Sequence, residues 1–222
     1  MTQLQLLKKG RWFCDRDSHL QDALFGCGKI LNLNAGESLF LRGDNHDGIY
    51  AVINGVARIS GVNSQGKEAV LSFIDAGLWF GEVTLFDNGV RTHDVIAQTN
   101  LQVFFVPQNK LAQLLKTYPQ YWQDFGLLLA QKLRMLFISL EDYALLSAEQ
   151  RLVKRLLLLC SHIDNPTAYT FNLSQQQLAD MTYLSRQTTN QLLKKLQAKA
   201  VITLQYNQLT IINKSLLEQL AH

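Results

Sequence analysis

The chain has 222 residues, of which 47% are hydrophobic, and this is enough to build one large domain or two modest ones around packed cores. The sequence contains no uncharged apolar run of 18 residues, and its first residues do not combine a basic segment with an apolar one. It therefore predicts neither a membrane span nor a secretory leader. Cys14, Cys27 and Cys160 are too few and too scattered for a disulfide framework, so we expect a cytoplasmic protein.

The net charge of +3 is unevenly distributed along the chain. Residues 148–222 carry 8 Lys and Arg against 4 Asp and Glu, whereas residues 1–147 carry 13 against 14 and are almost neutral. Neutralisation of phosphates supplies much of the affinity of proteins for nucleic acids. The basic C-terminal part therefore favours a DNA-binding module behind a near-neutral sensor, although a charge of this size is also ordinary for a protein surface.

Short runs of alternating or β-branched apolar residues, separated by Gly, Asn and Asp, fill the chain from Lys29 to Pro107. This spacing predicts antiparallel strands of a sandwich or barrel. The Asn54-Gly55 pair is typical of a two-residue hairpin, because both residues tolerate positive φ. We therefore expect residues 1–117 to form a β-roll sensor domain, a double-stranded β-helix of the jelly-roll type, with short flanking helices. The predicted strands are Ser38–Leu41, Ile49–Ile53, Val56–Ser60, Ala69–Phe73, Val95–Ala97 and Gln102–Val106.

A long helix is predicted over residues 118–147, because Gly and Asn become rare after Pro107 and Tyr118-Pro119 offers a start with proline in the first turn. Apolar residues recur along it with heptad spacing, which predicts parallel pairing with a second copy. The alternative is that this seam packs on the chain's own β-roll, but a second apolar stripe, Phe125, Leu128, Met135 and Phe137, is available for that purpose. The seam begins at Trp122, and the residues that we assign to dimerisation are Leu129, Leu133, Leu136, Leu140 and Tyr143.

The C-terminal domain, residues 148–222, begins with Ser147 as the predicted N-cap of a helix. A strand at Tyr169–Asn172 is followed by two short helices, Ser174–Met181 and Ser185–Lys199, each capped by its first serine. Two helices joined by so short a turn are typical of a helix-turn-helix, whose second helix enters the major groove of DNA. The hairpin predicted after them, Val201–Leu204 with Gln208–Ile212, would be its wing.

Polar residues on the second helix provide the chemistry of base recognition, since Arg can bind guanine and Gln or Asn can bind adenine. Those that we expect on its exposed face are Arg186, Gln187, Thr189, Asn190 and Gln191. Those assigned to phosphates are Lys194, Lys195 and Lys199, with the hydroxyls of Ser174 and Ser185 as further DNA contacts. The alternative, two antiparallel helices of an ordinary bundle, explains neither the lack of acids from Leu184 to Asn213 nor the hairpin that follows.

Over essentially its whole length, the chain resembles the CRP/FNR family of bacterial transcription regulators, named after the cyclic-AMP receptor protein and the fumarate-nitrate regulator. Three segments carry the resemblance in the same order: a sensor signature at Gly36-Glu37, Gly43–Val52 and Asn54–Ile59, a phosphate-binding cassette at Phe80–Phe86 with Arg91-Thr92, and the start of a recognition helix at Leu184–Thr188. The resemblance implies an α+β homodimer, in which an effector bound between β-roll and long helix changes the orientation of two DNA-reading domains.

Within the cassette, the resemblance implies an effector site at Gly81, Glu82, Arg91 and Thr92. Amide N–H groups around Gly81 can form an anion nest, a glutamate suits a ribose hydroxyl, and the arginine and threonine can bind a phosphate. The alternative is that Glu82 and Arg91 pair with each other across a turn. Where members that respond to cyclic AMP have a Thr-Ser pair that reaches adenine, this chain has Leu136-Phe137, so we expect a phosphate grip to survive while adenine recognition is altered or lost.

The sequence also bears on effectors other than a cyclic nucleotide. An iron–sulfur cluster needs four thiolates, and three scattered cysteines do not provide them. Haem needs a single ligand, which His19, His46, His93, Cys14 or Cys27 can supply, although ordinary structural roles account for each of them. A vestigial sensor on a constitutive DNA-binding dimer is a further alternative. No metal site is expected, and a cupin-type enzyme is excluded because it would need a His-x-His pair, which the sequence lacks.

The resemblance also bears on partners other than the second copy. Arg186 matches the family's recognition arginine, whereas Gln187 and Gln191 replace the Glu and Arg of the cyclic-AMP receptor, so we expect a different operator half-site in double-stranded DNA. Family activators contact RNA polymerase near the loop at residues 161–168, where this chain shares little with them. RNA polymerase is therefore a partner only if the protein is an activator, and the sequence leaves activation and repression open.

Overall fold

The structure is a computed structural model, and it describes residues 6–8, 10–66, 68–160, 169–171 and 173–221. The chain divides into two compact units, Met1–Met135 and Leu136–His222. Within the described residues, no helix is long and apolar enough to cross a membrane. The predicted loop at residues 161–168, with its expected contact to RNA polymerase, lies outside them.

The first unit consists of two antiparallel four-stranded sheets with helices beside them, which confirms the predicted β-roll. The sheet orders are β1-β8-β3-β6 and β2-β7-β4-β5. Its strands are β1 Lys29–Leu33, β2 Ser38–Phe40, β3 Gly48–Asn54, β4 Ala57–Val62, β5 Glu68–Ile74, β6 Trp79–Phe80, β7 Asp94–Ala97 and β8 Leu101–Pro107. Its helices are α1 Arg11–Cys14, α2 Ser18–Cys27, α3 Val83–Asp87 and α4 Gln108–Thr117, together with the first part of α5 Tyr121–Leu145.

Strand β3 is buried on both faces and separates two hydrophobic cores. Tyr50 and Val52 belong to the core between the two sheets, whereas Ile49, Ala51 and Ile53 face the layer of helices. Successive side chains of a strand point to opposite faces, so a strand covered on both sides carries apolar residues at every position. This explains the unbroken apolar run of β3.

The prediction that Asn54-Gly55 forms a hairpin is wrong, because β3 and β4 belong to different sheets. Asn54 stays in β3, paired with Gln102, and only Gly55 has a positive φ, of 85°. A Cβ atom at Gly55 would lie 2.2 Å from the carbonyl oxygen of Asn100. Glycine is therefore needed for a tight crossing from one sheet to the other rather than for a hairpin turn.

The long helix begins at Tyr121, slightly later than predicted, and residues 108–117 form the separate helix α4. The second apolar stripe packs as predicted at Phe125 and Leu128, which are buried in the core beside the β-roll. The expectation is wrong for Met135 and Phe137, whose exposed fractions are 45% and 61%. The burial of α5 against the rest of the first unit thus ends before its second half.

The second unit confirms the predicted winged helix-turn-helix. After the end of α5 it contains α6 Ala148–Cys160, β9 Tyr169–Phe171, α7 Gln175–Thr182, α8 Arg186–Ala198, β10 Ile202–Gln205, β11 Gln208–Ile211 and α9 Lys214–Gln219. The strands form one antiparallel sheet in the order β10-β11-β9, and β10 and β11 are joined by the turn Tyr206-Asn207. The core collects the apolar faces of α6, α7 and α8 around this sheet.

Candidate nucleic-acid interface and effector site

The exposed face of α8 is a polar and basic stripe. Its residues fall one, three or four positions apart, so they lie on one side of the helix, opposite the buried Leu192, Leu193 and Leu196. The helix contains no acidic residue. The exposed residues of the stripe are Arg186, Gln187, Gln191, Lys194 and Lys195.

Two residues predicted for this face are placed elsewhere. Thr189 is fully buried, because it precedes Leu192 and Leu193 by three and four positions and shares their side of the helix. Helical spacing alone would have identified it as a core residue. Asn190 is half-buried, and its side-chain amide donates a hydrogen bond to Gln175 Oε1 at 2.8 Å. Gln175, at the start of α7, was not identified from the sequence.

The three serines predicted as N-caps all cap their helices. Ser147 Oγ accepts a hydrogen bond from the amide of Gln150 at 3.2 Å. Ser174 forms a capping box with Gln177, and Ser185 Oγ accepts from the amide of Thr188 at 3.0 Å. A hydroxyl that accepts through one lone pair keeps its own hydrogen, so Ser174 retains a donor for another group, whereas the Ser185 hydroxyl also lies 2.8 Å from Thr188 Oγ1.

A groove of about 390 Å³ runs between the starts of α7 and α8 and the wing. Ser174, Gln175 and Arg186 line one wall, and the turn at Tyr206 and Asn207 lines the other. Tyr206 is 93% exposed at the tip of the wing. Tyr206 was not predicted as a site residue, although a large aromatic side chain between the two predicted strands of the wing is a signal for one.

In the cassette of the first unit, Arg91 is almost completely buried, and both terminal nitrogens of its guanidinium donate to protein acceptors. Nη2 donates to Asp47 Oδ1 at 2.5 Å and to the carbonyl of Gly48 at 2.7 Å. Nη1 donates to the carbonyl of Gly81 at 3.2 Å and to Thr84 Oγ1 at 3.3 Å. These contacts use all four hydrogens of the two terminal nitrogens. Nε is buried without a hydrogen-bond partner.

The carboxylate of Asp47 is the anion that pairs with the guanidinium of Arg91. It also accepts a hydrogen bond from the hydroxyl of Tyr50, whose pKa is raised mainly by burial. The ring of Phe40 covers the guanidinium, with 4.2 Å between Cζ and the ring centroid. Asp47 was not predicted as a site residue, although it lies in the segment that resembles the family's sensor signature.

Glu82 and Arg91 do not pair with each other, so that alternative is wrong. Glu82 is buried and accepts a hydrogen bond from Lys132 Nζ of α5 at 2.6 Å. Both charged groups of the cassette are therefore neutralised within the chain, one by Asp47 and the other by Lys132. Lys132 was also missed, because an ion pair between residues so distant in sequence leaves no local pattern.

Of the other residues predicted for the effector site, only Gly81 lies beside the guanidinium of Arg91. Gly81 has φ 91°, and a Cβ there would lie 2.9 Å from Arg91 Nη1, so only glycine lets the arginine approach. Thr92 is exposed, and its hydroxyl lies 2.9 Å from His93 Nδ1, so Thr84 rather than Thr92 supplies the hydroxyl beside the guanidinium. Leu136 and Phe137 belong to the second unit, with exposed fractions of 54% and 61%.

His46 connects to the same network, since its Nδ1 lies 2.6 Å from Thr84 Oγ1. Burial, and after it the nearby Arg91 cation, lowers the pKa of His46 below the usual histidine value. Among the other candidate haem ligands, His19 Nδ1 lies 2.6 Å from the hydroxyl of Tyr121, and Cys14 and Cys27 are free thiols. No group of three or more His, Cys, Asp or Glu in the described part of the chain is placed to hold a metal ion.

Comparisons with known proteins agree with this architecture. A family described as cyclic nucleotide-binding domain matches residues 30–118, and one described as Crp-like helix-turn-helix domain matches residues 150–220. The chain is 26% identical to the cAMP-activated global transcriptional regulator CRP of Haemophilus influenzae over 76% of this chain and 77% of that protein. It is 26% identical to the cyclic AMP receptor protein of Thermus thermophilus over 84% and 85% of the two chains.

Solved structures show the same fold. FixK2 of Bradyrhizobium japonicum superposes with a TM-score of 0.77 at 19% identity, covering 88% of this chain and 98% of that one. The c-di-GMP responsive global regulator CLP of Xanthomonas campestris superposes with a TM-score of 0.73 at 22% identity, covering 88% and 99%. The named relatives are transcription regulators and not enzymes. With both domain families matched in the expected order, the chain belongs to the CRP/FNR family of transcription regulators.

Proposed function

We propose that the protein acts as a homodimer that binds a double-stranded operator sequence-specifically and is controlled by a small effector. The observation that carries this proposal is the acid-free stripe on α8, where Arg186, Gln187 and Gln191 precede Lys194 and Lys195. Side chains at the start of a recognition helix read base edges, and lysines farther along neutralise phosphates. In this proposal, residues 1–117 sense the effector, residues 118–147 pair the copies, and residues 148–222 bind DNA.

The second half of α5 supports the homodimer. Leu133, Leu136, Leu140 and Tyr143 are each about half exposed, with fractions from 48% to 57%, and they follow one another with heptad spacing. A long exposed apolar stripe of this kind is an unusual feature of a monomer. A second copy of the same helix would cover it, and the two-fold symmetry of such a dimer calls for an operator with two inverted half-sites.

The state of the cassette limits how an effector can bind. A cyclic nucleotide is one candidate, because named relatives are activated by cyclic AMP and the buried Arg91 Nε has no partner. Its phosphate would have to displace Asp47 from Arg91, and its ribose would compete with Lys132 for Glu82. These internal pairs also favour a second candidate function, a regulator of the same family that binds DNA without an effector, with Asp47 in place of a ligand's anion.

Selection of operators from a pool of random duplexes, followed by fluorescence anisotropy on the selected duplex, tests the DNA-binding function. We expect a palindromic site, bound with an affinity that falls steeply with salt. Enrichment of no sequence would contradict the proposal. Calorimetric titration with cyclic AMP and cyclic GMP, with Arg91→Ala as the control, separates the two forms of control. Heat lost in that variant supports the nucleotide, and unchanged operator affinity with either nucleotide, without heat, supports the effector-independent regulator.

A further inference from the structure

The turn of the helix-turn-helix holds a tyrosine in a conformation that side chains rarely adopt. Tyr183 ends α7 with φ 53° and ψ 37°, in the left-handed region. Turns of this motif often contain glycine, which avoids the clash between Cβ and the backbone in that region. The amide of Tyr183 donates to the carbonyls of Ala179 and Asp180, and a glycine could make the same bonds. The reason for a tyrosine at this position therefore lies in its side chain.

The side chain of Tyr183 contacts the end of the long helix within the second unit. Its ring meets the ring of Tyr143 edge to face, with 5.8 Å between centroids and an angle of 82° between planes. The guanidinium of Arg151, in the first turns of α6, lies 5.1 Å from the centroid of the same Tyr143 ring. Arg151 Nη1 also donates to the carbonyl of Thr182 at 3.5 Å. The three side chains thus link α5, α6 and the turn before α8.

The joint between α5 and α6 is short and is also held by an ion pair. Only Leu146 and Ser147 separate α5 from α6. Lys154 of α6 forms an ion pair with Asp142 of α5 at 2.7 Å, one residue before Tyr143. The angle between these helices decides where the second unit holds α8 relative to the axis of α5. The contacts that Tyr143 and Arg151 make with each other and with the turn before α8 lie at this joint, so they can fix the angle between α5 and α6.

We infer that Tyr143, Arg151 and Tyr183 form a clamp that positions the DNA-reading helix on the end of the long helix. The inference rests on the proposed function: in a dimer paired through α5, the angle at this joint sets the distance between the two copies of α8. The clamp residues are positioning residues, because none of them has to touch DNA. Tyr143, assigned to the dimer seam from the sequence, has this role within its own chain.

The test measures how strictly the protein requires the spacing between half-sites. Full-length Tyr143→Leu, which removes the ring, is compared with the matched control Tyr143→Phe, which keeps it. Anisotropy is recorded on the selected palindrome, on palindromes with the spacer one base pair longer or shorter, and on a duplex with one half-site. For the leucine variant we expect about tenfold weaker binding to the palindrome and a flattened spacing preference, with unchanged binding to the single half-site. The phenylalanine variant should match the wild type.

Arg151→Met provides a second test in case Tyr143→Leu also weakens the dimer, because this arginine lies on α6 and is not one of the seam residues, all of which lie on α5. It should flatten the spacing preference in the same way, and Arg151→Lys, which keeps a cation beside the ring, should restore part of it. Unchanged spacing preference in Arg151→Met, or an equal loss on the single half-site, would overturn the clamp. A wild-type protein that selects no DNA sequence would instead contradict the proposed function and is recognised before any variant is made.

Discussion

Replacing Leu133 and Leu136 by glutamate should convert the protein to a monomer. Full burial of a leucine stabilises by about 2 kcal/mol. Because the exposed fractions are 48% and 54%, the half of each side chain that a partner would cover contributes about 1 kcal/mol. Two-fold symmetry brings together four such leucines, so their loss costs about 4 kcal/mol, or about a thousandfold in the dissociation constant. Four glutamates at the same place add charge repulsion.

The assay is light scattering coupled to size-exclusion chromatography over a range of protein concentrations. Leu127→Glu is the matched control, since Leu127 lies on the same helix with a similar exposed fraction of 41%, outside the heptad seam. The control should stay dimeric while the double variant elutes as a monomer. Dimers that persist in the double variant at the concentrations where the wild type is dimeric would refute the seam, and the exposed leucines would then need another partner.

The remaining predictions concern DNA reading, the cassette and the core. Arg186→Ala should reduce discrimination between operator and random DNA by about 1–3 kcal/mol in competition anisotropy. Lys194→Ala should weaken binding to operator and to random DNA equally and lower the slope of log affinity against log salt by about 1. Equal losses of operator and random-DNA binding in Arg186→Ala would contradict the role of Arg186 in base reading. Asp47→Asn should strengthen any nucleotide binding seen by calorimetry, because it removes the acid that pairs with the cassette arginine, and weaker binding would show that this acid supports the site. Thr189→Val should leave DNA binding unchanged and keep or raise the melting temperature, since the buried Thr189 hydroxyl has no hydrogen-bond partner. Loss of operator binding in this variant would show that Thr189 contributes to the DNA interface. Because the pKa of His46 is lowered in the fold, the unfolded state binds more protons, so stability should be complete above pH of about 6.5 and fall as the pH drops below it. Melting curves of His46→Gln should show a smaller fall, while a fall equal to that of the wild type would assign it to other groups.

Local sequence is sufficient to predict those features that depend on residues close together in the chain. Most strands follow from short runs of alternating or β-branched apolar residues, and the starts of α6, α7 and α8 follow from Ser147, Ser174 and Ser185, because a cap needs only a hydroxyl and an amide a few residues apart. Helical spacing also places the stripe on α8 and, applied strictly, removes Thr189 from it. The same spacing in α5 separates a stripe that packs beside the β-roll from a seam that stays exposed.

Contacts between residues that are distant in the chain could not be predicted from local sequence. The Asn54-Gly55 pair has the local chemistry of a hairpin, yet the chain crosses to the other sheet there, with Gly55 packed against the carbonyl of Asn100. Glu82 and Arg91 could as well have paired with each other as with Lys132 and Asp47, and no local pattern distinguishes these choices. Ion pairs and ring contacts act over a few ångströms in space, whatever the separation in sequence. Their partners are therefore known only once the packing of strands and helices has brought distant segments together.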